Sequence, residues 1–192
     1  MKTPGILAAA LGLAFSAGAF AQAGTVQRDV NQQQRIEQGL RSGQLTTREA
    51  SRLEGEEARV ERDQARAMKD GKLTPAEKAR LSREQNAVSR DIYREKHDAQ
   101  TGNPNSASSQ RMQADVQRNI NQQQRIEQGV QSGSLTTRET GKLEGGQARD
   151  SRMEARAGSD GQVSKGEQRR IQNAENRQSK RIHREKHDAQ TK

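Results

Sequence analysis

The stretch Asn31–Glu49, NQQQRIEQGLRSGQLTTRE, recurs ninety residues later as Asn121–Glu139, NQQQRIEQGVQSGSLTTRE. The likeness runs well past this segment. Val26–Thr101 aligns on Val116–Thr191 without a gap, with 43 of 76 positions identical. The chain therefore carries two copies of one unit, and any fold must place the same elements twice. Between the copies lies Gly102–Gln110, GNPNSASSQ, whose turn-forming polar residues read as a linker.

A shorter repeat punctuates each copy twice. It is a glycine, then Leu or Val two residues on, then Thr or Ser, then Glu three residues further. The four instances are Ser42–Glu49, Asp70–Glu77, Ser132–Glu139 and Asp160–Glu167. Each position has a physical role at a helix–turn–helix junction. Glycine takes the left-handed backbone that ends a helix. Thr46, Thr74, Thr136 and Ser164 are N-caps whose hydroxyls can accept from the amide three residues on. Glu49, Glu77, Glu139 and Glu167 sit there and can close a capping box. Pro75 falls on the first helical position, where its missing N–H costs nothing. Leu45, Leu73, Leu135 and Val163 precede the caps and are expected to dock inward.

These turns predict three helices per copy, in the first copy about Val26–Arg41, Thr47–Lys69 and Pro75–His97. Val26, Val30, Ile36 and Leu40 share one side of the first. Leu81, Val88 and Ile92 line the third at i, i+7 and i+11. The middle helix offers Leu53, Ala58, Val60, Ala65 and Met68, but Asp150 and Gly158 replace Val60 and Met68 in the second copy. Short turns favour antiparallel neighbours. The expected fold is all-α, two tandem copies of a small three-helix antiparallel unit joined by a flexible linker. Gly145-Gly146 is expected to interrupt the second middle helix, at about 1 kcal/mol per glycine, and to leave the second copy the less stable.

The chain opens with Lys2, an apolar run over Ile6–Ala21, and two small-residue cleavage sites, Ala19-Phe20-Ala21 and Ala21-Gln22-Ala23. This is the pattern of a secretory signal peptide, with a mature start near Gln22 or Gly24 and no membrane span after cleavage. The resulting division is 1–23 signal peptide, 24–101 first repeat, 102–115 linker and 116–192 second repeat. The address is periplasmic or secreted. With no cysteine in the chain, disulfides and thiol-metal sites are excluded. Phe15 and Phe20 leave with the signal, so Tyr93 is the one mature aromatic. So few large apolar residues cannot build a thick core, and only a thin helical layer is open to this composition.

The turn pattern resembles the second half of an EF-hand loop, with the glycine at position six and the glutamate at position twelve. That resemblance implies divalent-cation binding, through the amide and carboxylate ligands of the first half. Here the first and third loop positions are Gln38 and Leu40, Arg66 and Met68, Gln128 and Val130, and Arg156 and Gly158. Arginine at a first ligand position opposes a cation. The doubled turn, together with the tail motif Lys96–Gln100 and Lys186–Gln190, KHDAQ, is also similar to a group of small exported Gln/Arg-rich helical proteins of Gram-negative bacteria. That likeness implies a periplasmic address and no particular activity.

Three constellations remain. His183 and His187, at i and i+4, place two imidazoles on one helix face, the spacing of many Zn and Cu sites. Lys165, Arg169 and Lys180 border them, and no third ligand is evident. His97-Asp98 and His187-Asp188 are adjacent pairs that cannot face each other on a helix. No nucleophile–base pair can be assembled, so no catalytic residue is expected and the protein reads as non-enzymatic. Charge is the third. Lys165–Lys186 carries eight basic and three acidic residues. Lys165, Arg169, Arg170, Arg177, Lys180, Arg181 and Arg184 cover one broad face, opposite Ile171 and Ile182. The expected function is a binding or envelope-stress accessory that meets anionic polymers or surfaces through this face. Without stacking aromatics, nucleic acid is disfavoured. The alternatives are metal-ion binding, at the histidine pair or the EF-hand-like loops, and a protein–protein adaptor or chaperone-like role. In the last, the Gln-rich Asn31–Gln34 and Asn121–Gln124 segments pair helices and self-association completes the thin cores.

Overall fold

The computed structural model describes residues 17–188. The signal-peptide reading rests mostly on residues 1–16, outside the described residues, as does the end of the second tail motif. Among the described residues there are six α-helices and no strand: α1 (Ala17–Ser42), α2 (Thr47–Ala67), α3 (Pro75–Lys96), α4 (Ala107–Gln131), α5 (Thr137–Ala157) and α6 (Lys165–Lys186). Among the described residues no helix is long and apolar enough to cross a membrane.

The turns form as their chemistry dictates. Gly43, Gly71, Gly133 and Gly161 have φ of 76°, 88°, 76° and 90°, and no other described residue has positive φ. At Thr46, Thr74, Thr136 and Ser164 the cap hydroxyl accepts from the glutamate amide, and the glutamate carboxylate accepts from the cap amide. Leu45, Leu135 and Val163 are buried, whereas Leu73 is half-buried. The fourth turn is better covered because α4 lies over it. The Val163 amide donates to Ser108 Oγ at 2.7 Å, and Arg111 donates to the Val163 carbonyl at 2.8 Å.

Each copy runs up-down-up, but the copies do not close on themselves. The most extensive helix contact is α2 against α5, followed by α1 against α4, and both pairs cross between copies. The α2–α5 pair is antiparallel: Gly55 meets Ala155, Gly145 meets Ala65, and Gly158 meets Ser51. One apolar cluster joins Ile36, Leu40, Leu45, Leu53 and Ile92 of the first copy to Met112, Val116, Ile120 and Ile171 of the second. The other joins Val26 and Ala23 to Ile126, Val130, Leu135, Leu143 and Ile182. The expected pair of self-contained units is therefore replaced by one interlocked body, in which each core borrows the start of the other copy's first helix. The physical reason is the shortage of apolar residues. A single copy has too few to cover its middle helix, and the two middle helices cover each other.

The two-fold logic repeats in the details. Arg48 donates to the Asp160 carbonyl at 3.0 Å, and Arg138, ninety residues on, to the Asp70 carbonyl at 3.5 Å. Along α1, Gln32 donates to the Gln85 carbonyl, and Arg35 to Ser89 Oγ and carbonyl; Gln122 and Arg125 of α4 do the same to Glu175 and Ser179. The Gln-rich segments thus tie α1 to α3 and α4 to α6 within the chain.

Two sequence expectations change. The segment 102–115 is mostly helix, since α4 starts at Ala107, and its irregular part is pinned. The Gly102 amide donates to the Gly43 carbonyl at 2.9 Å, and a Cβ on Gly102 would lie 2.3 Å from the Leu45 carbonyl oxygen. Gly145-Gly146 does not interrupt α5. A Cβ on Gly146 would lie 2.0 Å from Gln178 Oε1, so this glycine makes room for a buried amide that donates to the Leu143 carbonyl at 2.8 Å.

Candidate functional site

The interior between the middle helices is polar. Asp29, Glu54, Glu57 and Glu61 from the first copy are at most 1% exposed, as are Glu144 and Glu154 from the second. Amides meet them. Gln64 donates to Asp29 at 2.7 Å, and ninety residues on the chemistry is exchanged, with Asn119 donating to Glu154 at 2.9 Å. Gln33 donates to Glu54 at 2.9 Å and Gln123 to Glu144 at 3.1 Å. Each contact pairs one acid with one amide, whichever copy supplies which. A carboxyl group in such a site loses its water, and neutral amides replace only part of it.

Burial accordingly raises these acids. It pushes Asp29 up to about 7 despite hydrogen bonds from Gln64 and Gln85 and the charge of Arg28. It pushes Glu54 up to about 7, opposed by Gln33 and Glu154. Glu57, Glu61 and Glu154 stand well above the usual carboxylate range, first through burial and then through neighbouring carboxylates. Glu144 is raised by burial and by Asp29. Sequence reading missed this cluster because its residues are charged types on helices assigned to a surface. A signal existed: Glu54, Glu57, Glu61 and Gln64 recur at helical spacing beside Leu53 and Val60, on the face that must turn inward.

The cationic face lies where the wheel placed it. Lys165, Arg169, Arg170, Arg177, Lys180 and Arg184 are exposed and Arg181 is half-buried. Between α5 and α6 runs a groove lined by Arg149, Arg177 and Arg181 around Asp150, with Gly146 and Met153 on its wall. Burial pushes Asp150 up to about 7 even though Arg149, Arg177, Arg181 and Arg118 all act to lower it. The matching groove between α2 and α3 has the opposite character. Glu56, Asp63, Glu84 and Asp91 line it with Arg59 and Arg62. At the four positions equivalent to those acids the second copy has Gly146, Met153, Ala174 and Arg181. Arg80 spans Asp63 and Glu84 at 3.3 and 3.0 Å in the first copy, whereas ion pairs in the second are made by Arg118 with Glu175 and Lys142 with Glu185.

His183 and His187 stack face to face, ring centroids 4.2 Å apart at 16°, and His187 Nδ1 lies 2.7 Å from the His183 carbonyl. Tyr93 and His97 repeat this arrangement at 4.1 Å, with the same contact from His97 Nδ1. Both C-terminal histidines are helix C-caps. Stacked rings do not aim two nitrogens at one point, and a tyrosine serves equally in the first copy.

No family model, curated protein or solved structure matches this chain.

Proposed function

We propose that this is an exported, periplasmic, non-enzymatic binding protein whose second copy holds anionic groups of envelope polymers or surfaces. The observation that supports it is the charge difference between two otherwise equivalent grooves. One framework is built twice, and in the second the four groove carboxylates are gone, Arg177 and Arg181 have arrived, and a single acid, Asp150, stands in the place of Val60. Arginine's planar fork suits phosphate and carboxylate oxygens, and the seven basic residues of α6 extend the charge away from the groove. The occupant chemistry is a phosphate- or carboxylate-bearing polymer such as lipopolysaccharide.

The test is retention on immobilised heparin and on lipid A vesicles at rising salt. Wild type is expected to elute with strong salt dependence. Arg177→Glu with Arg184→Glu is expected to weaken binding at least about tenfold, while charge reversal at Arg90 and Arg94 on α3 leaves it unchanged. Binding that ignores Arg177 and Arg184, or falls equally with the α3 changes, overturns the proposal.

A further inference from the structure

The tail motif also has a structural place. Asp98 of the motif and Glu95 just before it come from the end of α3, and Asp188 and Glu185 from the end of α6. The fold carries each pair to the capping-box glutamate at the start of the preceding helix. Glu49, Glu95 and Asp98 each offer a carboxylate oxygen, all within 4.8 Å of one another, and Glu139, Glu185 and Asp188 do the same ninety residues on. We propose that these are two pseudo-equivalent sites for a hard divalent cation, calcium foremost.

Clustered acids alone would not carry this. Glu49 and Glu139 are each 1% exposed. In each, one oxygen accepts from the cap amide at 2.8 Å, and the other, Oε1, is buried with no hydrogen-bond partner. A buried carboxylate oxygen without a donor is a costly state unless something positive meets it. The remaining neighbours supply part of that charge. Arg52 contacts Glu95 at 3.0 Å, and Lys142 lies 3.8 Å from Glu185. A divalent ion placed among the three carboxylates would supply the positive charge that the buried Oε1 of Glu49 or Glu139 lacks. An all-oxygen donor set with no histidine selects calcium or magnesium over zinc or copper. The EF-hand-like loop contributes only its last residue here. The other two ligands come from a different helix, so the missing first half of the loop does not bear on this site.

The test is calorimetric titration of the full chain with calcium, magnesium as competitor, together with its melting temperature with and without the ion. Two calcium ions per chain are expected, with Kd on the order of 10⁻⁴–10⁻³ M as in extracellular modules, and an upward shift in melting temperature. Asp98→Asn and Asp188→Asn lie outside the capping boxes and leave the helices intact. Each is expected to remove one ion, and the double variant both, with its ion-free melting temperature within a few degrees of wild type. No calcium-dependent heat or thermal shift in wild type overturns the proposal. So does stoichiometry that persists in the double variant.

Discussion

The buried acids make stability depend on pH in an unusual direction. Asp29 is taken from 3.8 to about 7 by burial. Its folded form therefore holds a proton that the unfolded chain releases above pH ~4. The stabilisation is fully present below the unfolded pKa and is lost as pH rises towards 7. At about 1.4 kcal/mol for each factor of ten, Asp29 alone accounts for ~4 kcal/mol. Glu54 is raised from 4.5 to about 7 and shares a hydrogen bond with Glu154, so the pair retains a further proton at roughly 3 kcal/mol. Domains of this size hold about 5–15 kcal/mol in total. Urea unfolding followed by far-UV circular dichroism is therefore expected to give its highest midpoint near pH 4–5, falling by about half or more by pH 8. Asp29→Asn, the residue already present at equivalent position 119, is expected to flatten the slope by about one proton and to exceed wild type at pH 8. A midpoint that is level or rises between pH 5 and 8 refutes the reasoning, as does an Asp29→Asn variant with the full wild-type slope.

Other outcomes follow from the interlocked cores. Calorimetry at pH 5 should show a single transition for both copies, because each apolar cluster draws on both; two separated transitions would mean that the copies fold alone. The helical glycines should part company. Gly55→Ala, whose nearest contact would be Ala155 Cβ at 3.4 Å, is expected to gain about 0.5–1 kcal/mol in thermal or urea unfolding. Gly146→Ala is expected to lose roughly 1–3 kcal/mol by displacing Gln178, despite the same propensity gain. Of the two cleavage sites expected from the sequence, the one after Ala21 keeps Gln22, whose Oε1 accepts from Thr137 Oγ1 at 3.0 Å. Intact mass of exported protein should accordingly place the start at Gln22, and a start at Gly24 would contradict this.

The turns were legible because each is made of residues whose roles are local. A glycine, a hydroxyl and a glutamate at fixed spacing need no partner elsewhere, and all four formed. Helix ends follow from the same chemistry, so α2 and α3 begin where Thr46 and Thr74 place them. Pairing of the helices was not legible. Val26 joins the apolar cluster of Ile126, Leu135 and Ile182 because the second copy is tethered close by, and nothing within residues 24–101 encodes that choice. The acidic interior was hidden for a related reason. Glu57 and Glu61 read as surface until α5 is known to cover them, since only the α2–α5 contact turns that face inward. The seven basic positions of α6 were readable because an outer face is defined by the wheel alone. Arg149, on α5, was missed because the groove exists only between two helices.

Differences between the copies separate constraint from freedom. In the interior a change in one residue is answered in its partner: Asp29 with Gln64 becomes Asn119 with Glu154, and the hydrogen bond survives with its polarity exchanged. Unanswered exchange there would leave two acids facing each other in a site without water, at a cost of several kcal/mol. In the outer grooves the changes are answered only in part. Glu56, Asp63, Glu84 and Asp91 give way to Gly146, Met153, Ala174 and Arg181, and Arg177 and Arg181 bring more charge than the one new acid, Asp150, offsets. Packing tolerates this because solvent screens the grooves, so folding alone does not dictate their charge. The carboxylate triads behave like the interior and not like the grooves: all three acids are present in both copies. Their recurrence beside a groove that reversed its charge is what a shared ion requirement would leave behind. Asp98→Asn and Arg177→Glu should therefore act independently, the first on calcium and melting temperature, the second on retention by anionic polymer. Coupled losses in both assays would show the two features to be one site.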